Sequence, residues 1–144
     1  MNISRLILAL LAGTLASLVL WPLQRFAEIW FGAFSGVPIA MIVLQGRGGW
    51  LINMILATLL LEVLLPVLFY AWFAENVFRK SDWKMGMCFG FTVFMLGSLA
   101  QHVFLPMLLR VPAGYSLAHG LTHLIDLMAV GFIAGLIYKP RGSS

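Results

Sequence analysis

The charged residues of this chain are few and far apart, and their spacing limits the folds that are open to it. Nine basic and five acidic residues stand among 144. Glu62 and Asp126 are the only charges within four long apolar stretches, at residues 6–24, 48–74, 85–109 and 111–138. A helix that crosses a membrane needs about 20 predominantly apolar residues. Each stretch has 19 residues or more and is therefore long enough.

The composition indicates the same class of protein. Apolar residues make up 62% of the chain and charged residues 10%, whereas soluble domains have roughly 45–50% and 25%. A soluble domain of this size cannot bury so much apolar surface, and a disordered chain needs the opposite composition. None of the stretches alternates apolar with polar residues, as barrel strands do. The sequence predicts an all-α integral membrane four-helix bundle, with spans near Ile3–Leu23, Trp50–Phe73, Met85–Leu109 and Tyr115–Tyr138.

The stretch Ile29–Gln45 is apolar but has helix-breaking residues in its middle. Gly32 and Pro38 stand there, and a proline inside a helix costs about 3 kcal/mol. We expect the linking region 24–49 to hold an interfacial or re-entrant segment between the first two spans. Protein or water must cover such a segment, because lipid does not tolerate a broken backbone. The alternative is a fifth span at this place. In both cases, residues 1–144 form a single membrane domain.

Lysine and arginine near the helix ends predict the orientation, since the cytoplasmic side carries more of them. With four spans, six of these cations lie on one side and three on the other. The larger set comprises Arg5, Arg79, Lys80, Lys84, Lys139 and Arg141, and the smaller comprises Arg25, Arg47 and Arg110. Both termini are therefore expected in the cytoplasm, with an uncleaved first span. The five-span alternative divides the cations equally well, so the rule does not choose between the two.

The basic residues are expected to contact the lipid bilayer rather than nucleic acid. They stand at helix ends, where the orientation rule already accounts for them and where anionic headgroups lie. Cys88 is the only cysteine, so neither an internal disulfide nor a Cys-x-x-Cys motif exists. The phosphate-binding and nucleophile motifs of soluble enzymes are also missing from the sequence. We therefore predict a protein that acts without a catalytic residue.

Small residues recur at four-residue spacing in three of the predicted spans. The set comprises Ala9, Gly13 and Ser17 in the first span, Gly86 and Gly90 in the third, and Gly131 and Gly135 in the fourth. Such spacing lets helix backbones approach closely in lipid. We expect the glycines to pack helices within the bundle, or to join the chain to a second copy or to another membrane protein.

Five ionisable side chains concentrate in the outer half of the predicted bundle. Glu62 and Asp126 lie about 12 and 11 residues into their helices, and His102 and His123 each lie eight residues from the predicted turn between the last two helices. His119 shares a helix face with His123 and Asp126. A charge at a helix centre costs about 2.5–3.5 kcal/mol on insertion, so we expect these side chains to face one another. We call these five residues the predicted polar set.

The predicted polar set has four interpretations. Polar side chains hydrogen-bond across membrane helices, so the leading hypothesis is that the set organises the bundle of a small structural or accessory protein. Acids and histidines in series also suit a pathway for protons or cations. His119, His123 and Asp126 share one face with the spacing of a zinc or iron site. His102 facing His119 or His123 would suit a bis-histidine haem.

Several of these motifs together resemble one group of known proteins. They are Leu11–Ala16 in the first span, Gly86 and Gly90, Pro106 near the end of the third span, Ala118 and His119, and Gly131, Gly135 and Tyr138. The pattern resembles small four-span bacterial membrane proteins that are grouped as domains of unknown function. The resemblance implies a four-helix bundle in the bacterial inner membrane and favours four spans over five. It implies no activity and no functional residue.

Overall fold

The computed structural model describes residues 2–34, 56, 59–100, 103–104 and 113–140, most of which are helical. The long helices are α1 (Ile3–Phe34), α2 (Leu59–Phe78), α3 (83–98) and α4 (Ala113–Ile137). No strand occurs in this part of the chain, so the all-α prediction is confirmed. Three helices are long and apolar enough to cross a membrane, over Ile3–Ala27, Leu59–Phe78 and Gly114–Ile137.

Helix α1 extends well beyond the predicted end of the first span at Leu23. It has 32 residues and continues through Pro22 to Phe34. A proline in a long apolar helix removes one backbone hydrogen bond, and the turns on either side carry the helix onward. The first six residues of the stretch Ile29–Gln45 therefore continue α1, and its remainder lies outside the described residues.

Helices α2 and α3 each combine α-helical and π-helical turns. In α2 the π-helical turns are Leu59–Leu64 and Ala74–Phe78, on either side of α-helical Leu65–Phe73. In α3 the π-helical turn Phe94–Ser98 follows α-helical Trp83–Val93. A π-helical turn holds one residue more than an α-helical turn, and such turns are frequent at functional sites.

The turn between α2 and α3 has clear local causes. Helix α2 ends where Arg79 adopts the left-handed conformation, with a φ of 54°. Helix α3 begins after Asp82, whose Oδ1 accepts a 2.9 Å hydrogen bond from the backbone N–H of Met85. This side-chain cap satisfies one of the N–H groups that a helix start leaves without a partner. The turn thus directs α3 back along α2.

Helix α4 packs against α1, α2 and α3, whereas α1 and α3 do not contact each other within the described ranges. The approach of α3 to α4 depends on glycine. A Cβ on Gly86 would overlap the backbone carbonyl of Gly131, and a Cβ on Gly90 would overlap the carbonyl of Leu127. Gly135 lies equally close to the backbone of Asp82. The two backbones therefore touch along four residues predicted to pack helices.

The small residues of α1 face α2 and α4. Ala9 is fully buried and Ser17 is nearly so. A Cβ on Gly13 would lie 3.3 Å from Cγ1 of Val63 and 3.6 Å from Cγ1 of Val130. Gly13 thus packs against side chains, whereas the glycines of α3 and α4 pack against backbone.

Two fully buried tyrosines, Tyr70 and Tyr138, close one end of the helices. The Tyr138 hydroxyl donates to Oε1 of Glu75 at 2.7 Å and accepts from the backbone N–H of Asn2 at 3.4 Å. The Tyr70 hydroxyl lies 2.8 Å from Oγ of Ser81, in the turn before α3. We call this region the tyrosine end. The start of α1, the end of α2, the start of α3 and the end of α4 meet there, so α1 and α2 are antiparallel.

Candidate functional site

The centre of the candidate site is a contact between a glutamate of α2 and a histidine of α4. Nδ1 of His123 lies 2.9 Å from Oε1 of Glu62. The side chains of His123 and Glu62 are 17% and 19% exposed. At this distance an N–H group at Nδ1 donates a hydrogen bond to the carboxylate, and the contact is an ion pair when the ring carries a positive charge.

Asp126 lies one helical turn beyond His123 and is fully buried. Its Oδ2 accepts a 2.8 Å hydrogen bond from the hydroxyl of Ser17 on α1. Its other oxygen, Oδ1, accepts no hydrogen bond from any residue that the structure describes. The Asp126 carboxyl group also lies beside the Glu62 carboxyl group. The two acids therefore share one site, with an oxygen of Asp126 left without a donor.

The second ring nitrogen of His123 contacts α3. Its Nε2 lies 2.9 Å from Oγ of Ser98. A serine hydroxyl donates to a neutral imidazole and accepts from a protonated one. Ser98 can therefore serve either charge state of His123. The contacts from Ser98 through His123, Glu62 and Asp126 to Ser17 bring all four helices together, and we call these five residues the acid–histidine cluster.

Helical geometry explains why these side chains meet. His123 and Asp126 are three residues apart, which places them on one face of α4. Glu62 and Ser98 both lie in π-helical turns, at Leu59–Leu64 and Phe94–Ser98. The added residue of a π-helical turn rotates the side chains that follow it. Polar side chains of α2 and α3 thus lie beside α4, within otherwise apolar helices.

The structure brings together three members of the predicted polar set, namely Glu62, His123 and Asp126. The ring of His119 stacks on that of Tyr115, with the centroids 6.1 Å apart and the planes 6° from parallel. His119 is thus oriented along α4 by its neighbour one turn earlier. His102 lies outside the described residues.

The predicted zinc or iron ligands His119, His123 and Asp126 are all described. Across the described ranges, no group of three or more His, Cys, Asp or Glu side chains is arranged to hold a metal ion. His123 contacts Glu62 and Ser98 through its two nitrogens, which are the atoms that a metal would need. The metal prediction therefore gains no support from these residues. The haem prediction needs His102 and stays a prediction.

Sequence reasoning did not assign Ser17 or Ser98 to the site. Ser17 belongs to the small-residue stripe of α1, and its side chain faces the same neighbours as Ala9 and Gly13. The available signal was that Ser17 is the polar member of this stripe, which faces the helices that carry the acids. Ser98 carries no comparable signal, because a π-helical turn orients it.

Apolar packing separates the acid–histidine cluster from the tyrosine end. Twelve residues of α4 connect Asp126 to Tyr138, a helix length of about 18 Å. The buried apolar side chains of this core are Leu6, Ala9, Val63, Val67, Ala71, Ala74, Val130 and Ala134. They come from α1, α2 and α4 and contain no ionisable group. The cluster thus lies on the far side of this apolar core from the tyrosine end.

The chain was compared with protein-family models, with curated proteins and with solved structures, and none of the three comparisons finds a match.

Proposed function

We propose that this chain is a four-span protein of the bacterial inner membrane that takes up a proton at the acid–histidine cluster. The observation that carries the proposal is the fully buried Asp126, whose Oδ1 lacks a donor beside the Glu62 carboxyl group. Uptake takes place from the side opposite the tyrosine end. Both termini lie in the cytoplasm.

The exposed surface of the helices supports a place in the membrane. Large apolar side chains are exposed on every helix, including Leu11, Leu15, Leu61, Leu96 and Leu117. Contiguous exposed apolar surface of this kind is costly in water and ordinary in lipid. In this proposal α3 is the fourth span, beside the three helices that are long and apolar enough to cross.

The direction of the helices supports four spans. Helices α1 and α2 are antiparallel, since the first begins at the tyrosine end and the second ends there. A further crossing between them would make them parallel. The cations Arg5, Arg79, Lys80 and Lys84 lie near this same end in sequence, and an excess of such residues marks the cytoplasmic side.

Reporter fusions test this orientation. A fluorescent protein fused after Ser144 is expected to fluoresce, and alkaline phosphatase at the same place to stay inactive, because the C-terminus is cytoplasmic. Alkaline phosphatase fused after Arg110, in the predicted turn between α3 and α4, is expected to be active. The opposite pattern at either position would contradict the proposed orientation.

Charge balance supports a proton as the bound species. A carboxylate pair offers only acceptors, so a hydrogen bond to Oδ1 of Asp126 requires a proton on one of the two acids. With His123 positively charged, one carboxylate negatively charged and the other acid protonated, the cluster is neutral. Loss of that proton leaves a net negative charge inside the bundle, which is costly in lipid. Proton binding therefore changes the charge of the site.

The position of the cluster supports uptake from one side. The apolar core lies between the cluster and the tyrosine end, where the hydroxyl groups of both tyrosines are hydrogen-bonded. Protons move along polar groups, and the side chains of that core are apolar. The far side of the bundle is therefore the side that exchanges protons.

Proton counting in purified protein tests the proposal. Near neutral pH, the wild type is expected to bind about one proton more than Asp126→Asn, because the two acids share a proton and an amide does not titrate. Glu62→Gln is expected to lose the same proton, because the two acids share it. Glu75→Gln, a change at the tyrosine end, is the matched control and should titrate like the wild type. Superimposable curves for the wild type and Asp126→Asn would refute the proposal.

A second candidate is the structural or accessory role, and the bond between Ser17 and Asp126 favours it. This bond joins α1 to α4 beside the backbone contacts of α3 with α4. If this role is the whole function, the Asp126→Asn protein keeps a hydrogen bond to Ser17. It then binds as many protons as the wild type does. The same titration therefore separates the two candidates.

A further inference from the structure

A groove of about 590 Å³ runs along the outer side of α3, next to α4. Its walls are large apolar side chains and the stem of one lysine: Trp83, Lys84, Met87, Phe91 and Met128. Cys88 and Thr92 complete the lining. The groove is separate from the acid–histidine cluster, since none of these residues belongs to the cluster.

The groove is apolar along its length. The hydroxyl of Thr92 donates a 2.8 Å hydrogen bond to the backbone carbonyl of Cys88, so its polar atom is already satisfied. The methyl group of Thr92 and the side chains of Phe91 and Met128 remain as the surface. A groove of this kind accepts a hydrocarbon chain.

A cation stands at one end of the groove. Nζ of Lys84 lies 5.4 Å from the centroid of the Trp83 ring, and no carboxylate among the described residues pairs with it. The charge at this end is therefore positive and suits a negatively charged group.

The two ends of the groove lie at different depths. Trp83 and Lys84 begin α3 at the tyrosine end, where tryptophan and lysine contact headgroups in a membrane. Eight residues of α3 lead from Lys84 to Thr92, about 12 Å toward the bilayer centre. A cation at headgroup level at the end of an apolar groove matches the shape and charge of an anionic phospholipid.

We propose that this groove binds one anionic phospholipid, with its phosphate at Lys84 and one acyl chain along Met87, Phe91 and Met128. The proposal rests on the membrane placement in the proposed function and is independent of proton uptake. The lipid lies on the outside of the α3–α4 pair, at the cytoplasmic side.

Native mass spectrometry of the full chain in detergent micelles tests the site, with added phosphatidylglycerol as the probe and phosphatidylcholine as the uncharged comparison. Lys84→Gln is expected to lower phosphatidylglycerol binding about tenfold and to leave phosphatidylcholine binding unchanged. Lys80→Gln, an exposed lysine outside the groove, is the matched control and should bind like the wild type. Cys88→Phe fills the groove and should lower the binding of both lipids.

Four results would overturn the inference. The first is a Lys84→Gln protein that binds phosphatidylglycerol like the wild type, and the second is equal loss in Lys80→Gln. The third is displacement of the lipid by millimolar glycerol phosphate, which would assign the site to a free phosphate. The fourth is a dimer that Cys88→Phe dissociates, which would assign the groove to a second copy of the chain. Membrane fractionation is scored separately, so a chain that leaves the membrane fraction counts against the proposed function instead.

Discussion

Replacing Gly131 by alanine is expected to lower the free energy of unfolding by about 3 kcal/mol, as overpacking of a tight contact does. A Cβ at this position would overlap the backbone carbonyl of Gly86. A flexible side chain could rotate away, but a backbone carbonyl moves only if α3 and α4 separate. Reversible unfolding in mixed detergent micelles measures the loss.

Gly97→Ala is the matched control for this prediction. Gly97 is also a helical glycine, in α3, and a Cβ there would have nothing within 4 Å among the described residues. Its expected change is within about 0.5 kcal/mol, or slightly stabilising, because alanine favours a helix over glycine. Equal losses for the two variants would show that the close contact of α3 with α4 does not determine stability.

His123→Leu is expected to lower the free energy of unfolding by about 3 kcal/mol, because it leaves the half-buried Glu62 and the fully buried Asp126 without a cation. Removing one partner of a buried ion pair typically costs about 3–5 kcal/mol, whereas replacing both by apolar residues is often neutral. The double variant Glu62→Leu with His123→Leu is therefore expected to be more stable than His123→Leu alone. Unfolding of the single and double variants under one condition gives the interaction energy.

His119→Leu is the control for the effect of losing a histidine from this face of α4. The ring of His119 stacks on Tyr115, and such a contact contributes about 0.5–1.5 kcal/mol. A loss clearly smaller than that of His123→Leu is the expected result. If the costs of Glu62→Leu and His123→Leu simply add in the double variant, the two side chains do not form an ion pair that stabilises the fold.

Much of the fold follows from the spacing of charges and glycines. Apolar stretches of membrane-spanning length predicted helices, and α2 and α4 cover much of two of them. The four-residue spacing of Gly86 with Gly90 and of Gly131 with Gly135 indicated a close approach, and their backbones do touch. These features are predictable because helix periodicity converts sequence distance directly into a shared face.

The remaining features depend on tertiary packing. The apolar stretch 6–24 predicted a first span that ends near Leu23, but α1 continues through Pro22 to Phe34, because an apolar helix tolerates one missing hydrogen bond. The π-helical turns carry Glu62 and Ser98, and no residue pattern in the sequence announces them. Counting residues at the α-helical period ignores the added residue of the π-helical turn, and it therefore places Ser98 at the wrong position around α3. The partner of His123 on α3 was therefore outside the reach of sequence reasoning.

The central place of α4 has a consequence for how the protein assembles during translation. The chain leaves the ribosome from its N-terminus, so α1, α2 and α3 are made before the helix that contacts all of them. Glu62 precedes His123 by 61 residues. It therefore cannot contact this histidine until the last helix is synthesised. A nascent chain that ends before α4 has Glu62 without His123, and it has Gly86 and Gly90 without the α4 backbone that they contact.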